Sequence, residues 1–147
     1  MQVPEAASTT VLAFDFGEKR VGVAVGDLHL RIAHPLTTIS AEDSATRFLE
    51  IGKLMAEWRP ARLVVGLPMH PDGTEHEVSR LARRFAQRLE GRFGVPTVLV
   101  DERLTTRAAE SRLRESGTRG RRIGAALDAA AAREILASWF DSQPADF

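Results

Sequence analysis

Three acidic positions in this sequence sit where an ionised carboxylate needs compensation. Asp15 closes the apolar run Val11-Leu12-Ala13-Phe14 and is followed at once by Phe16-Gly17-Glu18-Lys19-Arg20. A second strand-like run, Val21-Gly22-Val23-Ala24-Val25, then begins. Asp15 is therefore expected at the end of a buried strand, just before a tight turn. Burying such a charge costs several kcal/mol unless something offsets it. A divalent cation would do so, and would suit the site to phosphate chemistry. The alternative is a carboxylate that caps the turn or pairs with Lys19 or Arg20.

The second position is Asp101-Glu102, which follows Thr97-Val98-Leu99-Val100. Ligand sites of sheets with parallel strands gather at C-terminal strand ends. Alternation puts Glu102 on the side of Val98 and Val100, and Asp101 on the side of Leu99. Both sides are apolar, so parity does not choose between the two acids. The third position is Asp128. At 100° per residue it lies within ~20° of Ile135 and Trp139 and ~40° of Ala132 on a helix. That is an inward face, where a polar group needs a partner; the alternative is a carboxylate interacting with the helix dipole. Two-metal phosphodiester cleavage uses carboxylates to hold two cations roughly 3.5–4 Å apart. Carboxylates from two strands and one helix could build that clamp.

The elements that must position these groups read in order. Strands are predicted over 9–16, 20–26 and 30–39, close enough in sequence to form an antiparallel meander. A helix from about Asp43 carries Phe48, Ile51, Met55 and Trp58 at helical spacing. Asp43 or Ser44 would cap it, and Arg59-Pro60 ends it. A short buried strand follows at Leu63-Val64-Val65-Gly66, and then a turn-rich loop from Leu67 to Gly73. A second helix is predicted over 74–90, with Val78, Leu81, Phe85 and Leu89 inward and Gly91 as its stop. The fifth strand covers 95–100. A short helix over 105–114, a Gly- and Arg-rich loop over 115–124 and a last helix over 125–140 complete the chain. The fold class expected is α/β: a mixed five-stranded sheet, an antiparallel meander followed by βαβ-type crossovers, with helices on both faces. Residues 1–147 read as one domain, with 1–8 and 142–147 as tails.

Composition narrows the function classes. The 147 residues contain no cysteine, which excludes disulfides and thiolate metal sites. No apolar run approaches the ~20 residues of a membrane span, and residues 1–8 do not read as a signal peptide. A cytoplasmic location is the expectation. Net charge is zero, yet 18 of the 20 basic residues are arginine. Eight of them fall between Arg103 and Arg133 against three acids, Glu110, Glu115 and Asp128. Arginine forks match phosphate oxygens, so a locally basic stretch in a neutral chain suggests a nucleic-acid-facing side. The bland alternative is a chain that uses arginine wherever lysine would serve.

Several stretches together resemble the YqgF (RuvX-like) nucleases. They are Ala13-Phe14-Asp15-Phe16-Gly17-Glu18-Lys19-Arg20-Val21-Gly22-Val23-Ala24-Val25; Val64-Val65-Gly66-Leu67-Pro68 with Asp72-Gly73-Thr74-Glu75; Asp101-Glu102-Arg103-Leu104-Thr105-Thr106; and Asp128-Ala129-Ala130-Ala131-Ala132. The resemblance covers nearly the whole chain. It implies an RNase H-like fold and a divalent-metal-dependent nuclease of the bacterial cytoplasm. The family is linked to maturation of the 5′ end of precursor 16S ribosomal RNA, and has been described as Holliday-junction resolvase-like. By motif, the catalytic and metal-binding set would be Asp15, Glu102 and Asp128, with Lys19 and Arg20 at the mouth of the site. The family often has asparagine where this chain has His70.

The expected cofactor is Mg²⁺ or Mn²⁺, since both suit an oxygen-only site. The expected partner is nucleic acid, structured RNA or branched DNA, bound by a monomer or a homodimer. Nucleic-acid contacts are expected from Lys19, Arg20, Arg103, Arg107, Arg119, Arg121 and Arg122, with Arg112 and Arg114 nearby. His70 and His76 lack the third ligand that a zinc site wants. Gly17 and Gly22 either admit a phosphate backbone or simply permit the hairpin. Three other functions compete with RNA processing: cleavage of four-way DNA junctions, which needs two symmetric cuts and so a dimer; an actin-like or sugar-kinase-like ATPase, which would need a second domain; and a non-catalytic nucleic-acid-binding protein.

Overall fold

The computed structural model describes residues 8–104 and 121–144. The strands are β1 (Thr10–Phe16), β2 (Val21–Asp27), β3 (Ile32–Ile39), β4 (Arg62–Leu67) and β5 (Thr97–Asp101). The helices are α1 (Ser44–Trp58), α2 (Glu77–Phe93) and α3 (Arg121–Ser142), with a 3₁₀ turn over Glu102–Leu104. One sheet has the order β3-β2-β1-β4-β5. The β1–β2 and β2–β3 pairs are antiparallel; β1–β4 and β4–β5 are parallel. This is the mixed sheet expected from the sequence.

Strand parity divides the core in two. Leu12, Phe14, Phe16, Val21, Val23, Leu63, Val65 and Leu67 face α1 and α2, where Phe48, Ile51, Phe85 and Leu89 complete one cluster. Val11, Ala13, Ala24, Val64 and Val100 face α3 and pack on Ala132, Ile135, Leu136, Trp139 and Phe140. Each buried valine, leucine, isoleucine or phenylalanine here stabilises the fold by about 1.5–3 kcal/mol. Small residues on the second face, Ala13 and Ala24 among them, let α3 lie close to the sheet. Among the described residues, no helix is long and apolar enough to cross a membrane.

Helix limits follow their caps. Asp43 accepts a hydrogen bond from the Thr46 N–H, and Arg59 closes α1 in the left-handed region (φ 45°). α2 begins at Glu77 rather than 74, because the Asp72 carboxylate holds Thr74 in a turn and His76 caps the helix. It runs past Gly91 to Gly94, whose φ of 68° makes it the actual stop. The extra turn brings Phe93 against Phe48, with ring centroids 6.5 Å apart. α3 starts at Arg121 instead of 125, absorbing Gly124, which costs a helix only about 1 kcal/mol relative to alanine. β5 is shorter than expected at its start, and the hydrogen bond from the Thr97 N–H to Glu90 anchors its first residue. The short helix expected over 105–114 and most of the 115–124 loop lie outside the described residues. So do 1–7 and 145–147 of the expected tails.

Candidate active site

Asp15 occupies the central strand, on the same side as Val11 and Ala13, so its side chain belongs to the face that α3 covers. Its neighbours across the sheet are both glycine. Gly22 is its register partner on β2. Gly66 on β4 lies one residue beyond Val65, the partner of Phe14. Each glycine leaves room for one of the other acids. A Cβ at Gly22 would stand 3.0 Å from the Cβ of Asp128 and closer still to that residue's carbonyl group. A Cβ at Gly66 would stand 3.0 and 3.1 Å from Cγ and Cδ of Glu102, and 2.5 Å from Cδ1 of Ile135. Asp128 therefore lies over one flank of Asp15 and Glu102 over the other.

All three acids are buried: 5% exposed at Asp15, 6% at Glu102 and 4% at Asp128. Burial this deep of three carboxylates on one sheet face is what separates the site from the solvated acids elsewhere. Asp128 accepts a hydrogen bond from Nε of Arg20 at 2.6 Å. It stands about two turns inside α3, beyond the reach of the helix dipole, which fades within the first turn. The dipole reading of this residue therefore gives way to a partnered carboxylate facing the sheet.

The parity question at β5 is also answered. Val98 and Val100 pack on the α3 side, and Glu102 continues that side. Asp101 turns the other way and accepts from the Arg103 guanidinium through Nε at 3.1 and 3.0 Å and through Nη2 at 2.6 Å. Those bonds hold the Asp101 carboxyl below its ordinary value of 3.8. Arg103 also donates to the Pro71 carbonyl at 3.4 Å. Of the expected nucleic-acid contacts, Lys19 is exposed in the β1–β2 turn and Arg20 reaches inward to Asp128. Arg121 and Arg122 stand in the first turn of α3. Arg107 and Arg119 lie outside the described residues, as do Arg112 and Arg114.

The donor chemistry suits a hard divalent cation: three carboxylates, oxygen ligands only, in a buried setting. As the side chains stand, no three acidic or histidine groups among the described residues close to the separation that would grip one ion, and Arg20 lies on Asp128. Gly17 serves the hairpin, since a Cβ there would meet the Arg20 carbonyl at 2.5 Å. Gly66 is a site-forming residue that the sequence reading passed over. Its signal was available, because glycine inside a strand often marks a close approach of other atoms.

Comparison with known proteins agrees with this architecture. A model of the family described as "RuvX: Holliday junction resolvase" matches residues 9–142. A relative from Dechloromonas aromatica is 59% identical over 133 residues, covering 90% of this chain and 91% of its own. One from Chromobacterium violaceum is 59% identical over 131 residues, covering 88% and 96%. Both bear the name "Putative pre-16S rRNA nuclease". Among solved structures, Thermus thermophilus RuvC in complex with a Holliday junction substrate shares the fold, with a TM-score of 0.54 at 15% identity over 89% of this chain and 93% of its own. The yeast mitochondrial Holliday junction resolvase Ydc2 does so with a TM-score of 0.51 at 14% identity, over 90% and 78%. With that model spanning residues 9–142 and relatives at 59% identity along most of its length, the chain belongs to the RuvX family.

Proposed function

We propose that the protein is a metal-dependent nuclease that hydrolyses phosphodiester bonds in the 5′-end processing of precursor 16S ribosomal RNA. The observation that carries this reading is the burial of three carboxylates on one side of the sheet, Asp15 at the end of β1 with Asp128 over the Gly22 flank and Glu102 over the Gly66 flank. Family membership and the relatives' shared name support the substrate. Asp15, Glu102 and Asp128 are the residues that would hold Mg²⁺ or Mn²⁺. Bound there in the two-metal manner, the ions would supply an activated water and neutralise charge on the leaving oxygen.

The chain's own groups do the rest. Burial excludes bulk water from the carboxylates and would strengthen their attraction for a divalent cation. Arg20 pairs with Asp128 and fixes its orientation, and its guanidinium brings a positive charge into the site. Lys19, exposed at the hairpin, and Arg121 and Arg122, at the start of α3, would contact flanking phosphates. Such contacts position a strand without reading its sequence.

Cleavage of four-way DNA junctions is the second reading, favoured by the description of the matching family model. It demands a dimer with two sites. The experiment is a cleavage panel of a precursor ribosomal RNA 5′ segment, unpaired RNA and DNA, and a four-way junction, each with Mg²⁺, Mn²⁺ or chelator. Sedimentation at the same protein concentration accompanies it. RNA cutting by a monomer supports the first reading; paired junction cuts by a dimer support the second. Failure to cut any substrate with either metal would leave a binding protein.

A further inference from the structure

Beside Glu102 lies a cavity of about 630 Å³ that the carboxylate chemistry does not use. Its apolar walls are Pro68, Met69, Pro71 and Val78; His76, Glu102 and Arg103 give it a polar edge. We propose that this cavity receives one unstacked nucleobase from the nucleotide next to the scissile phosphate, so that the enzyme acts on an unpaired strand. The proposal rests on the nuclease reading above and narrows its substrate.

Glu102 belongs to both the carboxylate cluster and the cavity wall, so a phosphate held by cations at the carboxylates would have its adjoining nucleoside beside the cavity. The base is the planar, weakly polar part of a nucleic acid, and it is what a pocket walled by two prolines, a methionine and a valine suits. The volume falls in the range of small-ligand sites; the Met69 thioether is polarisable and suits the edge of a ring, and the His76 imidazole is the one aromatic ring among the described lining residues on which a base could stack. In a duplex the bases are stacked inward and paired, so only an unpaired or extruded base can enter such a space.

The walls are held before any ligand arrives. The Ser79 hydroxyl donates to the Pro68 carbonyl. The loop between is closed by His70 N–H to the Thr74 carbonyl and Gly73 N–H to the His70 carbonyl, both at 2.9 Å. Arg103 bridges the two sides, held by Asp101 and reaching Pro71. Nδ1 of His76 accepts from the Val78 N–H at 3.2 Å, which places the proton of the neutral ring on Nε2. That N–H is a donor for a base nitrogen or carbonyl. His70 packs against the same ring at 4.8 Å between centroids, 62° from parallel, which fixes its plane.

The test walks 2-aminopurine, and separately an abasic unit, along an unpaired RNA across its mapped cleavage site, with matched duplexes. Binding of the full chain should change 2-aminopurine fluorescence at one position flanking the cut. An abasic unit there should slow cleavage at least about tenfold, in keeping with the worth of stacking one base, and the duplex should resist cutting. Pro71→Trp fills the mouth and should remove both the fluorescence change and the preference for the intact strand. Met69→Ala strips one wall and should reduce both, which keeps the test decisive if the tryptophan variant fails to fold. A response uniform along the strand, or an intact-over-abasic preference kept in the folded variants, overturns the cavity assignment and leaves the nuclease reading standing. A position-specific fluorescence change without cleavage of any strand would support the cavity and sink the nuclease reading instead.

Discussion

Gly22→Ala adds a single methyl group where α3 crosses β2, and the structure gives that methyl no room. Its Cβ would sit 3.0 Å from the Cβ of Asp128 and nearer still to the carbonyl carbon and oxygen of the same residue. Those last two are backbone atoms of a helix, so no change of rotamer relieves the clash. The helix must retreat by about 1 Å, because close-packed interiors do not absorb an extra methyl for nothing. Overpacking of this kind costs about 1–3 kcal/mol. For a chain of this size that lowers Tm by roughly 3–10 °C. The same retreat carries Asp128 away from Asp15, the register partner of Gly22. A misplacement of 1 Å in a reacting constellation can cost on the order of a hundredfold in rate. Thermal melts and initial rates on one RNA substrate measure both effects. Gly91→Ala is the control: nothing lies within 4 Å of the added methyl, and the site is an exposed helix interior. It should gain up to about 1 kcal/mol with the rate unchanged. If Gly22→Ala melts with wild type and cuts at full speed, α3 does not cross the sheet as described. A lowered Tm with an unchanged rate would remove Asp128 from the site.

Arg20→Ala should destabilise the fold by about 1–3 kcal/mol in urea titrations, because it withdraws the guanidinium hydrogen-bonded to a buried carboxylate; Arg20→Lys should recover part of that loss. Stability should fall on acidification through the Asp27 carboxyl. Hydrogen bonds from the Leu30 N–H and the Thr9 hydroxyl, and then from the His29 N–H, hold its pKa below 3.8. The unfolded chain therefore binds the extra proton first, and the stabilisation present above about pH 4 is lost as pH drops through the folded value. Calorimetry of Asp27→Asn should show a shallower acid limb; an unchanged limb would discount these hydrogen bonds as its source. Removing Arg121 and Arg122 together should weaken RNA binding and flatten its salt dependence, since each lost phosphate contact releases fewer counterions. An unaltered slope in a fluorescence titration would take the start of α3 off the binding surface.

Much of this architecture was legible because hydrophobic patterning and turn residues agree along β1 to β4. The run Val11 to Phe16 is buried on both sides, as expected of a central strand between two helical layers. Asp15 stood out for the same reason, as the one charge in that run. Strand parity alone did not choose between Asp101 and Glu102, because both neighbours along β5 are apolar; the motif resemblance pointed to Glu102, and the packing of α3 against Val98 and Val100 tells the faces apart. Helix ends were misjudged where tertiary contacts override local signals. Gly91 has the right residue type for a stop, yet Phe93 finds a place in the core and draws α2 onward to Gly94. His76 carries no local sequence mark of a helix cap; its role depends on the turn made by Asp72 and Thr74 just before it. Gly66, a glycine inside a strand, carried a sequence signal of a close approach, but that the approaching group is Glu102 follows only from the fold.

The most direct measurement compares wild type with Asp15→Asn on a precursor 16S ribosomal RNA 5′ segment, in Mg²⁺ and in chelator, with binding recorded alongside cleavage. The substitution preserves shape and removes the charge from the centre of the carboxylate cluster. Metal-dependent cutting that falls by roughly a hundredfold or more, with folding and RNA binding retained, is the predicted result. Cleavage at the wild-type rate by a folded Asp15→Asn protein would contradict the assignment of this site.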